Sequence, residues 1–110
     1  MSTTLSAKYV KARKPYYCDA CGALAIRPGD EYFRKAVAES GTVYVWLTCS
    51  PCREIARAVF DWVADPDAGV GIEEYREWAT EAVKDGGPLA ANARAYLDRT
   101  HRGAARSVAP

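Results

Sequence analysis

Apolar positions along this chain follow two periods, and the change from one to the other sets the predicted elements. Glu31 to Ala38 and Thr42 to Thr48 are rich in Tyr, Val, Phe and Trp, with Glu39-Ser40-Gly41 between them. That pattern predicts a β-hairpin closed by a tight turn. Val43, Val45 and Leu47 fall on one face of the second strand, and Tyr44, Trp46 and Thr48 on the other. Large side chains on both faces predict that one packs on the preceding module and the other on the helices that follow. Arg27-Pro28-Gly29-Asp30 signals a turn ahead of the first strand. Beyond Pro51 the period lengthens. Ile55, Ala58, Val59, Trp62 and Val63 follow i, i+3, i+4, i+7, i+8, which predicts a helix to about Ala64, stopped at Asp65-Pro66-Asp67. After a loop rich in Gly and Asp, a second helix is expected from Ile72 to Asp85, with Tyr75, Trp78, Ala79, Ala82 and Val83 facing inward. Glu73 and Glu74 suit its first turn, Lys84 its last, and Gly86 its cap. A third helix is expected from Gly87-Pro88 to about Thr100, with Leu89, Ala93, Tyr96 and Leu97 as its stripe. Trp62, Tyr75, Trp78 and Tyr96, at helical spacing, read as core. His101 to Pro110 reads as a frayed tail.

The four cysteines add chemistry to this outline. Cys18, Cys21, Cys49 and Cys52 form two C-x-x-C pairs separated by 27 residues. Each pair sets two thiolates on one tight turn, and the gap lets the two turns face each other across one ion. In the first pair Gly22 follows Cys21, which suits a knuckle whose chain needs a positive φ. In the second, Ser50 reads as an N-cap and Pro51 as the first helical residue, so that Cys49 precedes the helix and Cys52 lies in its first turn. The positive end of the helix dipole then faces thiolate charge. Two disulfides would need an oxidising compartment, and the start Met1-Ser2-Thr3-Thr4-Leu5 lacks the apolar stretch of a secretory signal. A thioredoxin-like redox pair needs one C-x-x-C on a βαβ background. An iron–sulfur cluster also takes four cysteines, at spacings that usually differ from this one, and stays as the second reading. Structural zinc is the expected occupant, with four cysteine ligands and no open position for catalysis.

Knuckle, hairpin, then a helix that supplies the last two ligands is an order that resembles the treble-clef zinc fold. The resemblance covers about Tyr16 to Ala64 and rests on Cys18, Cys21, Gly22, Cys49, Cys52 and the Ser50-Pro51 helix signal. Cys-x-x-Cys-Gly followed by Ile26-Arg27-Pro28-Gly29-Asp30-Glu31-Tyr32 is also similar to small zinc-knuckle proteins of actinobacteria and their phages. Fold resemblance of this kind implies little about function, because treble clefs serve nucleic-acid binding, protein binding and nucleases alike. The expected class is α+β: a basic arm at residues 1–15, a four-cysteine module at 16–64, a packed two-helix extension at 65–100 and a flexible tail at 101–110.

Charge narrows the function. The chain has 110 residues and a formal net charge of +1. Four thiolates holding one Zn²⁺ add −2, so a loaded chain carries −1; Arg53 and Lys14 are the expected local counter-charges. Residues 1–60 hold nine Lys or Arg against five Asp or Glu, and residues 61–110 hold six against nine. The basic excess lies in Lys8, Lys11, Arg13 and Lys14, interleaved with Tyr9, Tyr16 and Tyr17, and in Arg34 and Lys35 on the hairpin. Basic residues mixed with aromatics suit phosphate contact and base stacking, so DNA or RNA is the expected partner. The sequence pI of about 7.6 lies below that of dedicated nucleic-acid binders. A protein-interaction adaptor is the alternative, with Glu73, Glu74, Glu77 and Glu81 offering an acidic helix face and zinc serving as scaffold only. If Tyr44 and Trp46 were exposed together, they would mark an interaction patch. Catalysis is not expected: His101 is the only His, no further Cys exists, no P-loop spacing occurs, and Asp65 with Asp67 reads as helix-stop chemistry. No small-molecule substrate is evident. The longest apolar run, Val43 to Leu47, is too short for a membrane span, and a cytoplasmic location is expected.

Overall fold

The structure is a computed structural model that describes the backbone of residues 2–66 and 69–108 and the side chains of 3–66 and 69–101. Met1, Asp67, Ala68, Ala109 and Pro110 lie outside the described residues. Among the described residues three strands and three helices follow in order: β1 Ser2–Lys11, β2 Glu31–Glu39, β3 Thr42–Cys49, α1 Ser50–Trp62, α2 Ile72–Asp85 and α3 Ala90–Val108. The class is α+β, with one antiparallel sheet of order β1-β2-β3.

The segment expected as a basic arm is a strand. Ser2 to Lys11 pairs antiparallel with β2 from Ser2↔Glu39 to Lys11↔Glu31, and Leu5 bulges out between Thr4 and Ser6. The hairpin needs a two-residue loop with both residues in the left-handed region. Ser40 (φ 51°) and Gly41 (φ 81°) supply it. β3 pairs with β2 from Thr42↔Glu39 to Tyr32↔Cys49 without a bulge.

α1 ends at Trp62, because Val63 is extended while its N–H still bonds the Val59 carbonyl. Its buried residues are Cys52, Ile55, Ala56 and Val59. This stripe is turned by part of a helical turn from the expected one, and Trp62 is a correction: it is 46% exposed, not core. The helix start also departs from the expected cap, with no side-chain capping hydrogen bond. Cys49 is the N-cap, and the Ser50 hydroxyl donates to the Glu31 carbonyl at 2.7 Å instead of capping. α2 buries Tyr75, Trp78 and Ala79, and ends on Gly86 with φ 67°. α3 starts at Ala90, after a turn in which the Ala90 N–H bonds the Gly87 carbonyl, and runs as helix through the stretch expected as a tail, to Val108.

One core joins these parts. Ile26, Tyr32, Ile55, Val59, Tyr75, Trp78 and Tyr96 bury against the four cysteines. Tyr75 and Tyr96 stack at 5.8 Å and fasten α2 to α3. The hairpin's far end does not reach the C-terminal helices, contrary to the sequence expectation. Val43, Tyr44 and Val45 stay exposed, whereas Trp46 and Leu47 pack against the core. Tyr44 and Trp46 therefore do not form one exposed patch. No described helix is long and apolar enough to cross a membrane.

Candidate metal centre

The first C-x-x-C pair sits on a small ribbon. Tyr16 and Ile26 bridge antiparallel, with N–H to carbonyl distances of 3.0 and 3.3 Å. Inside it the Gly22 N–H bonds the Cys18 carbonyl at 2.8 Å, and the Cys18 N–H bonds the Ala23 carbonyl at 2.9 Å. Gly22 has φ 74°, a conformation that side chains disfavour. Asp19 ties this turn to β3: its N–H donates to the Leu47 carbonyl at 2.8 Å, and its Oδ2 accepts from the Leu47 N–H at 2.7 Å. Burial raises the Asp19 pKa, and the Leu47 N–H works against that rise.

The second pair comes from the β3–α1 junction. Cys49 ends the strand and caps the helix, and Cys52 follows in its first turn. The structure brings all four sulfurs together, within 4.8 Å of one another. A tetrahedral ion with ligand bonds of about 2.3 Å sets sulfur–sulfur edges of about 3.8 Å, so this spacing fits one metal ion. All four residues are buried. The Cys49 N–H points at Cys18 Sγ, 3.3 Å away, a bond that favours thiolate. Packed this closely, the sulfurs titrate as a unit. Hydrogen bonds from Cys18, Cys49 and Cys52 hold Cys21 well below the usual thiol value, and hydrogen bonds with Cys18, Cys21 and Cys49 push Cys52 far above it. A divalent cation resolves that conflict, because it lets all four ionise.

α3 completes the site, and sequence reasoning missed it. Arg99 Nη2 donates to Cys52 Sγ at 3.3 Å. The Tyr96 hydroxyl donates to the Ala20 carbonyl at 2.6 Å and lies 3.3 Å from the Ile72 carbonyl. The Thr100 hydroxyl bonds the Cys21 carbonyl at 3.3 Å. Burial keeps the Tyr96 phenol protonated, so it remains a donor. Tyr96, Arg99 and Thr100 stand at i, i+3, i+4, on one face of the helix. An Arg on a stripe otherwise read as core is the signal that could have found them. The expected counter-charges go elsewhere. The Arg53 guanidinium covers the Phe33 ring at 4.0 Å with its Nε 3.3 Å from the Tyr9 hydroxyl, and Lys14 Nζ lies 5.5 Å from the Tyr16 ring.

The expected basic surface is only partly assembled. Lys8 and Arg34 are register partners and share one sheet face. Lys35, the next residue of β2, belongs to the opposite face with Ala7 and Trp46. Lys11 pairs with Glu31, and Arg13 and Lys14 follow β1 as exposed loop residues. His101 is exposed on α3. A cleft of about 700 Å³ opens beside the cluster, and its lining includes Arg27, Arg99, Asp30 and Glu31, with no excess of either charge.

The fold and the cluster define an α+β protein with a buried four-cysteine centre that can hold a metal ion. Comparison with protein-family models, with curated proteins and with solved structures gave no match. The functional reading therefore rests on this chain's own residues.

Proposed function

We propose that this chain is a non-catalytic protein of treble-clef type, similar to small zinc-knuckle proteins of actinobacteria and their phages, in which a structural zinc ion holds the knuckle to α1 and the sheet binds nucleic acid. The zinc part is supported by the donor set: four buried thiols at tetrahedral spacing suit zinc and leave no position for substrate. The binding part is carried by the pairing of β1 with β2. That pairing joins the basic N-terminal segment to the hairpin in one sheet and sets Lys8 beside Arg34. The edge-to-face pair Tyr9–Phe33, with centroids 5.2 Å apart, lies one register step away and so on the other face of the sheet, where it adds aromatic surface on the side of Lys35 and under the Arg53 guanidinium.

Fluorescence anisotropy with labelled DNA and RNA oligonucleotides over a salt series tests it, with zinc measured on the same sample. Binding that weakens with salt, and a salt slope reduced by about one on Lys8→Ala or Arg34→Ala, is expected. One zinc per chain with no binding at low salt would remove the nucleic-acid reading. The adaptor reading would then stand, favoured by Phe60 and Trp62, which lie exposed at the end of α1.

A further inference from the structure

The two outer edges of the sheet are unlike. β1 carries Lys8 and Lys11 and a bulge at Leu5, features that discourage strand addition. β3, Thr-Val-Tyr-Val-Trp-Leu-Thr-Cys, carries no charge, no Pro and no bulge. Val43, Tyr44 and Val45 on it are 60%, 45% and 41% exposed. Backbone direction along β3 follows from the hairpin. Thr42 and Glu39 flank the two-residue loop as a bonded pair, so Thr42, Tyr44, Trp46 and Thr48 turn their N–H and carbonyl groups to β2. The odd-numbered residues turn outward. Leu47 confirms this, because both of its outward groups are taken by Asp19. The outward groups of Val45 and Val43 come next along the same edge.

We propose that β3 pairs with β3 of a second copy of this chain, antiparallel about a two-fold axis at Tyr44, to make a continuous six-stranded sheet. Self-pairing is what the residues favour. In this register Val43 and Val45 exchange backbone hydrogen bonds with the partner's Val45 and the partner's Val43. Tyr44 then meets its own copy in a non-bonded pair with Cα atoms about 4.5 Å apart. The cross-strand pairs are β-branched with β-branched and aromatic with aromatic, the combinations that stabilise sheets. β3 itself brings no charge to the seam, and the Glu39 carboxylate of β2 accepts a hydrogen bond from the Tyr44 hydroxyl at 3.0 Å. The overlap is bounded by Asp19 on Leu47 at one end and by the turn at the other, where Gly41 has open space around its Cα. Isologous pairing closes at two copies and leaves the charged β1 edges outside.

Sedimentation equilibrium of the full metal-loaded chain over a wide concentration series tests this. A reversible monomer–dimer equilibrium is expected. Val45→Pro removes an outward N–H and no hydrogen bond to β2, and Val45→Lys sets a cation beside the partner's strand. Each should raise the dissociation constant by at least about tenfold, with metal content and circular dichroism unchanged. Thr3→Lys on β1 should leave it unchanged. With oxidised glutathione as the oxidant, which leaves as two reduced glutathiones, Tyr44→Cys should give a disulfide-linked symmetric dimer, because non-bonded antiparallel pairs fall within disulfide reach. A monomer at every concentration would overturn the proposal, as would a dimer indifferent to both Val45 variants.

Discussion

Arg99 is where the reading of the metal centre is most exposed to test. A divalent ion in four thiolates leaves a site of charge −2, and Arg99 Nη2 lies 3.3 Å from Cys52 Sγ. At an effective dielectric of about 20, one unit charge at that distance attracts another by about 5 kcal/mol. Desolvation of the guanidinium opposes this, and it is the largest influence on the Arg99 pKa, which nonetheless rises because Cys52, Cys49 and Cys21 favour the cation. Hydrogen bonds to charged groups net about 1.5–3 kcal/mol after such losses. Arg99→Met keeps an unbranched apolar stem beside the Tyr96 ring and removes the charge. It should weaken metal affinity by about tenfold to a hundredfold, the usual span for groups that support a ligand. Arg99→Lys should fall between, having charge without the planar fork. Arg94→Met, an exposed cation on the same helix, should change nothing. The assay is competition for zinc with a chromogenic chelator at fixed pH and ionic strength. An Arg99→Met affinity within about twofold of the parent would refute the argument. An equal loss in Arg94→Met would show that net charge, not contact with Cys52, is responsible.

Four more predictions concern the same junction. Tyr96→Phe leaves the Ala20 carbonyl buried without its 2.6 Å donor, and should lower stability by about 1–3 kcal/mol in denaturant titrations at constant metal. Gly22→Ala forces a side chain to φ 74° and sets its Cβ 3.2 Å from Ile72 Cδ1. Ile72 can shift aside, so the backbone strain of about 1–2 kcal/mol should dominate, read as a lower melting temperature with metal content retained. Chelation should loosen the knuckle ribbon and the start of α1 before the hairpin, seen as faster amide exchange at Tyr16 and Ile26. Because ligands bind as thiolates, metal affinity should fall as pH falls, measured as zinc release to an indicator dye.

Much of this protein is written locally in its chain. The four-cysteine cluster was legible because a C-x-x-C turn fixes two sulfurs within four residues, whatever the rest of the fold does. α2 occupies its predicted span because Gly86, in the left-handed region, stops it by backbone geometry alone. The hairpin is similarly local, with Ser40-Gly41 meeting the two positive φ values its loop needs. Other features depend on partners distant in sequence, and these only the tertiary structure decided. Ser2 to Lys11 has no strong alternation, and becomes a strand because β2 offers a hydrogen-bond ladder some thirty residues further on. Helical periodicity placed Trp62 in a stripe, but the cysteine cluster turns α1 so that Cys52, Ile55 and Val59 face inward and Trp62 faces out. Arg99 stands out in the sequence only as a cation on the apolar stripe of α3; its partner is set when α3 docks on the knuckle and brings it to Cys52, 47 residues away. Short-range rules report what a residue does to its own turn. Which charge neutralises a buried site, and which strand stays at the edge, are set by long-range packing.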